Sequence, residues 1–166
     1  MFYRSKESFL PKRAPKLPPE LTLLVAGHRD DRLPRGGEGR DYLIQRLEEV
    51  ICWLAEEATR TDGFSATVYQ AKDPRLRILT GVSDGTDRAA AEIAETQGLP
   101  LQILAANEPS GGPPLKYAER IVALGAPESP NQPPDDSPYT FRDETALAFA
   151  DILVAVWDGE SPRGLG

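Results

Sequence analysis

Apolar positions along the chain fall into short unbroken runs separated by longer stretches of mixed character. Leu21–Ala26 (LTLLVA), Arg75–Thr80 (RLRILT), Pro100–Ala105 (PLQILA) and Asp151–Trp157 (DILVAVW) are such runs. Their length and β-branched content predict strands buried on both faces. Between the first two, Leu43, Leu47, Val50, Ile51 and Leu54 recur at helical spacing with Glu48, Glu49, Glu56 and Glu57 elsewhere, which predicts a helix from Arg40 to about Arg60. A second, alanine-rich helix is expected from Thr86 to Thr96, closed by Gly98. A third is expected at Phe141–Ala150, and a short one around Lys116–Leu124 within the proline-rich stretch 107–138. A weak strand is expected at Ala66–Gln70.

Strands alternating with helices imply right-handed crossovers and a parallel sheet. The fold class expected is α/β: a Rossmann-like, doubly wound, mainly parallel sheet with helices on both faces. Residues 1–20 are set apart by Pro11, Pro15, Pro18 and Pro19 among basic residues, and read as an arm on the surface of a domain spanning 21–166.

Charge sharpens that division. The arm holds five basic and two acidic groups, while the whole chain of 166 residues has net charge −7. So acidic a body is a poor binder of duplex nucleic acid, whose affinity rests on phosphate neutralisation. A small anion remains compatible, because distant charges are screened and local donors decide. Cys52 is the only cysteine, so no internal disulfide forms and a reducing, cytoplasmic setting is expected. Neither a secretory leader nor a membrane span is expected.

In parallel sheets the ligand crevice lies beyond the carboxyl ends of the strands, and three strands here end in glycine with polar residues beside it. The first runs into Gly27, His28 and Arg29. The second runs into Gly81, Ser83, Asp84, Gly85, Thr86 and Asp87. The fourth runs into Asp158 and Gly159, with Arg163 and Gly164 beyond. The second loop opens a helix whose first amides favour an anion. These residues form the expected ligand-binding set. The competing reading makes Asp84 or Thr86 a helix cap, Asp158 a turn aspartate and Arg29 half of a surface ion pair. Trp157 reads as core, Arg142 and Glu144 as solvated, and Cys52 as packing. His28, the only histidine, excludes a histidine-rich metal site. No metal and no cofactor are expected, and the glycine fingerprint of ordinary NAD binding is missing.

The segment from Leu79 to Glu92 resembles the Gly-x-x-x-Gly-x-Asp segment of the SLOG superfamily, which groups the Rossmann domain of DNA-processing protein A with the LOG phosphoribohydrolases. Gly27-His28-Arg29 resembles its bacterial "GHR" subgroup, as does Ala150–Gly159 with Arg163, Gly164 and Gly166. The resemblance spans about residues 21–166. It implies a site for a nucleotide or a nucleotide-derived signal, and many bacterial members are proposed sensors. The LOG branch cleaves an N-glycosidic bond using a Pro-Gly-Gly-x-Gly-Thr loop followed by a glutamate. This sequence has Arg163-Gly164-Leu-Gly166 there and then stops: either it is part of a longer product or the helix that such a loop should open is absent, so the resemblance supports binding better than hydrolysis. A carboxylate such as Asp87, Glu92 or Asp158 is the candidate for glycosidic chemistry. The expected partner is a nucleotide-derived small molecule, with self-association through the basic arm as a further expectation.

Overall fold

The computed structural model describes residues 16–60, 68–70, 72–81, 84–106, 118–124 and 138–160. Within them the order is β1 (Glu20–Gly27), α1 (Gly37–Thr59), β2 (Arg75–Thr80), α2 (Thr86–Thr96), β3 (Leu101–Ala105), β4 (Ala118–Ala123), α3 (Pro138–Phe149) and β5 (Ile152–Val156). The five strands form one sheet in the order β4-β3-β2-β1-β5, and every pairing is parallel. The chain therefore winds outward from β1 to β4, then returns through α3 to place β5 on the other side of β1. That reversal sets the switch point of the fold between β1 and β5.

Side chains of a strand alternate between faces, and the apolar runs exploit both. Leu23, Val25, Leu76, Ile78, Leu101 and Ile103 pack with Leu47 and Ile51 of α1 and Ala90, Ala91, Ile93 and Ala94 of α2. Leu24, Leu79 and Leu104 point the other way and meet Ala146 of α3. Helices α1 and α2 thus share one face and α3 covers the other, the arrangement that right-handed crossovers require when winding direction reverses. At the amino edge Glu20 takes Arg77 Nε at 2.5 Å and Arg75 Nε at 2.8 Å. Burial raises the Glu20 pKa, but the two guanidinium groups outweigh it and the net shift is downward. No described helix is long and apolar enough to cross a membrane.

Helix α2 and strand β2 lie where the apolar pattern put them, and α1 and α3 each begin three residues earlier than expected. The segment around Lys116–Leu124 is a correction. It forms β4, not a helix, because its backbone finds a ready ladder beside β3: Gln102 pairs with Arg120 and Leu104 with Val122. Leu124 N–H then donates to Ala105 O at 2.9 Å. A sheet edge supplies backbone partners that local propensity cannot foresee. Strand β5 is not buried on both faces, since it is an edge strand and Leu153 stands half exposed. Of the expected strand at Ala66–Gln70, residues 66–67 lie outside the described residues; Tyr69 bridges in parallel to Leu17. Most of the expected arm, residues 1–15, also lies outside them. Its end is packed, with Pro19 fully buried and Gln70 N–H donating to Leu17 O at 2.8 Å.

Candidate functional site

The three glycine-bearing strand ends meet at one rim. Thr86 donates both its amide and its hydroxyl to His28 O, each at 3.1 Å. His28 N–H donates to Val156 O at 3.3 Å, and His28 Nε2 lies 3.0 Å from Asp158 Oδ1. Gly85 makes the approach of the first two loops achievable. Its φ is +79°, and a Cβ there would stand 2.5 Å from His28 O. It is also the cap residue of α2, which has no side-chain cap, so neither Asp84 nor Thr86 caps that helix.

His28 Nε2 faces two groups of Asp158. The backbone N–H of Asp158 donates to it at 3.2 Å, and the carboxylate oxygen Oδ1 lies on the same nitrogen. When Nε2 carries no proton it accepts from the amide; when protonated it donates to the carboxylate. Either way the β5 loop stays tied to the β1 loop. Asp158 is fully engaged: Oδ1 also accepts from Glu160 N–H at 2.9 Å, and Oδ2 from Arg32 Nη2 at 2.6 Å. The Glu160 amide is the largest of the groups that hold its pKa down, to about 2; His28 and Arg32 add to it. A carboxylate so occupied acts first as the clamp of the turn.

Beyond the rim, on the α3 side of the β1/β5 switch point, lies a crevice of about 810 Å³. Gly27, His28, Arg29, Gly81 and Asp87 of the expected set line it. Asp158 lines a smaller cavity of about 390 Å³ with His28, Arg32 and Trp157. Asp84, Gly85, Thr86 and Gly159 line neither. Ser83 and Gly164 lie outside the described residues, as does Arg163. Of the candidate carboxylates, Asp87 is buried at the crevice wall, whereas Glu92 is exposed and paired with Arg88 at 3.0 Å.

Helix α3 adds what the sequence reading missed. Its first turns sit over the rim because it runs from the carboxyl end of β4 to the amino end of β5. Arg142, expected in solvent, is largely buried and lines the crevice. A Cβ on Gly81 would lie 2.5 Å from Asp87 Oδ2 and 2.7 Å from Arg142 Nη1, so the missing side chain is what lets these groups approach. Arg142 Nη2 also holds Asp143 Oδ1 at 2.6 Å. Two guanidinium groups lie over the Tyr139 ring, Arg142 at 5.5 Å and Arg29 at 5.9 Å from its centre. Trp157, expected in the core, is two-thirds exposed and borders the crevice, its Nε1–H donating to Glu160 O at 2.8 Å. The topology held the signal for Arg142: a helix preceding the strand at a switch point must begin at the ligand end of the sheet.

The crevice is mixed in character. Arg29, Arg35, Arg142 and His28 supply donors, with Asp31, Asp87 and Asp143 among them. Leu24, Leu104, Leu147, Leu153 and Ala155 supply apolar lining. Among the described residues Arg29 and Arg35 have no carboxylate partner. Such a site can hold an anionic group beside a flat or apolar one.

No family model matches the chain, and no curated protein matches it. Among solved structures it is similar to the X-ray structure of TM1055, a Northeast Structural Genomics Consortium target, with a TM-score of 0.52 at 16% identity. The likeness covers 82% of this chain, which spans 60% of that one. At this identity the likeness concerns the fold, and with the all-parallel 4-3-2-1-5 sheet it shows a Rossmann-like α/β domain.

Proposed function

We propose that the crevice binds a phosphorylated, nucleotide-derived ligand and that the chain acts as a binding or sensing domain of the SLOG type. The observation that carries this reading is the crevice of about 810 Å³ at the β1/β5 switch point, lined by Arg29 and Arg142, whose guanidinium groups both lie over the Tyr139 ring. Its volume suits a small-molecule site, ~300–1,000 Å³. Guanidinium groups present paired donors that match phosphate oxygens. The wall of Leu147, Leu153 and Trp157 suits a base or other planar group. The α2 amino terminus contributes less than a free helix end, because Thr86 already spends its amide on His28. The arginines therefore carry the anion.

A second reading is N-glycosidic cleavage or transfer, and one observation favours it. The Asp87 carboxylate is buried at the crevice wall, where it could stabilise an oxocarbenium-like state.

Calorimetric titration with nucleoside mono-, di- and cyclic phosphates tests the first reading. Saturable binding is expected, weakened at least about tenfold in Arg29→Ala and Arg142→Ala, since one hydrogen bond to a charged group is worth roughly 1.5–3 kcal/mol. Absence of heat across the panel at millimolar ligand would sink it. Steady release of free base from a monophosphate, lost in Asp87→Asn, would replace it with the second.

A further inference from the structure

The site above leaves the outer side of α1 unused, and that side is unusual for a solvated helix. Tyr42 is 65% exposed and Trp53 59% exposed. At 3.6 residues per turn the two rings lie only ~20° apart around the helix and ~16 Å apart along it. Arg46 and Glu49 stand between them on the same stripe, bonded to each other. The inward positions Leu47, Ile51 and Ala58 lie on the opposite side of the helix, in the core. Glu48 is turned away from the stripe, accepting from Gln97 Nε2 at 2.8 Å.

The stripe has a two-fold order. Its centre falls between Leu47 and Glu48, with Arg46 and Glu49 equidistant on either side and Tyr42 and Trp53 equidistant beyond them. A second copy of α1, laid antiparallel about that centre, sets each Tyr42 against a Trp53 and each Arg46 against a Glu49. The surface is thus complementary to itself in shape class and in charge, which is the condition for a closed isologous dimer. Further out Glu38 falls opposite Glu57, and Arg60, 2.6 Å from Glu57, offsets that like-charge pair.

We propose that the outer face of α1 is a homodimer interface, its occupant a second copy of this chain. Tryptophan, tyrosine and arginine are the residues that carry most interface energy. Four rings about 60% exposed offer on the order of 350–600 Å². The stems of the charged residues extend that area toward the low end of specific interfaces. The crevice lies on the opposite face of the sheet, so pairing leaves it open.

Analytical ultracentrifugation of the full chain, from about 1 to 500 µM as suits a small interface, reads the outcome. A monomer–dimer equilibrium is expected. Trp53→Ala and Tyr42→Ala raise the dissociation constant at least about tenfold, with an unchanged far-UV spectrum and, at concentrations where the parent chain is monomeric, an unchanged melting temperature, because both rings are exposed in the single chain. Arg46→Glu and Glu49→Arg each abolish self-association, since each juxtaposes like charges across the axis. An equimolar mixture of those two variants forms a heterodimer, and the double variant R46E/E49R dimerises again. A chain monomeric throughout the range would overturn the proposal. So would a dimer indifferent to all four substitutions, or a mixture of charge variants that stays monomeric.

Discussion

On the side of the sheet covered by α1 and α2, thirteen buried residues form a continuous core among the described residues; on the side covered by α3 there are four. Both sides are built from the same strands, and Leu23 and Leu24 differ only in which way they point. The contrast arises from what lies above them. Two helices bring Leu47, Ile51, Ile93 and four alanines onto one face. Among the described residues a single helix, offering mainly Ala146, lies over the other, and the space beside it is the crevice. Among the described residues, then, one face is packed and the other holds the crevice. A pocket needs a rigid floor, and Leu24 and Leu104 of the sheet form the floor here.

The largest test of this contrast is a pair of truncations. Ile78→Ala, in a fully buried position of the α1/α2 face, should cost about 2–5 kcal/mol in urea unfolding. Leu153→Ala on the open face should cost less than about 1 kcal/mol, since half its side chain already meets water. Equal losses would mean that the open face is covered in solution.

Next in size is the joint between the loops. Gly85→Ala places a methyl group against the His28 carbonyl at a φ of +79°, and should cost about 1–3 kcal/mol by the same measurement. The same change should disturb the His28 ring, visible as a shift of its imidazole resonances by NMR. A neutral outcome would show that the β1 and α2 loops do not lean on one another.

The smallest expected effect is a pH dependence. The Asp158 pKa is held at about 2, below its ordinary 3.8. A carboxylate lowered on folding stabilises the native state above its unfolded value and loses that contribution as pH falls through its folded value. Its share of stability is thus complete above about pH 4 and fades toward pH 2. Asp158→Asn should lower the urea midpoint at neutral pH, and the two midpoints should converge between pH 4 and pH 2. Curves that keep their spacing to pH 2 would mean the carboxylate clamp is not formed.

The wrong expectations fall mostly on the open side of this comparison. Trp157 and Arg142 were misplaced because residue type was weighed without the neighbours that topology supplies. Trp157 is apolar enough for a core, yet the edge position of β5 leaves it exposed. Arg142 belongs in water by type, yet the start of α3 over the rim turns it inward, and Gly81 leaves room for it. The stripe on α1 shows the opposite case: Tyr42 and Trp53 are legible as outward-facing from helical spacing alone, once Leu47 and Ile51 define the inner side.

The sequence by itself determined the strands of β1, β2, β3 and β5, helices α1, α2 and α3, the parallel arrangement and the rim that gathers Gly27, Gly81 and Asp87. Period and chain handedness are local properties, and they propagate without knowledge of distant contacts. Only tertiary structure decided that 118–123 pairs as a strand, that β5 is an edge, and that Arg142 lines the crevice with its guanidinium over Tyr139. Those outcomes depend on which groups remain unpaired after the rest of the chain has packed, a property of the whole molecule that no local window contains.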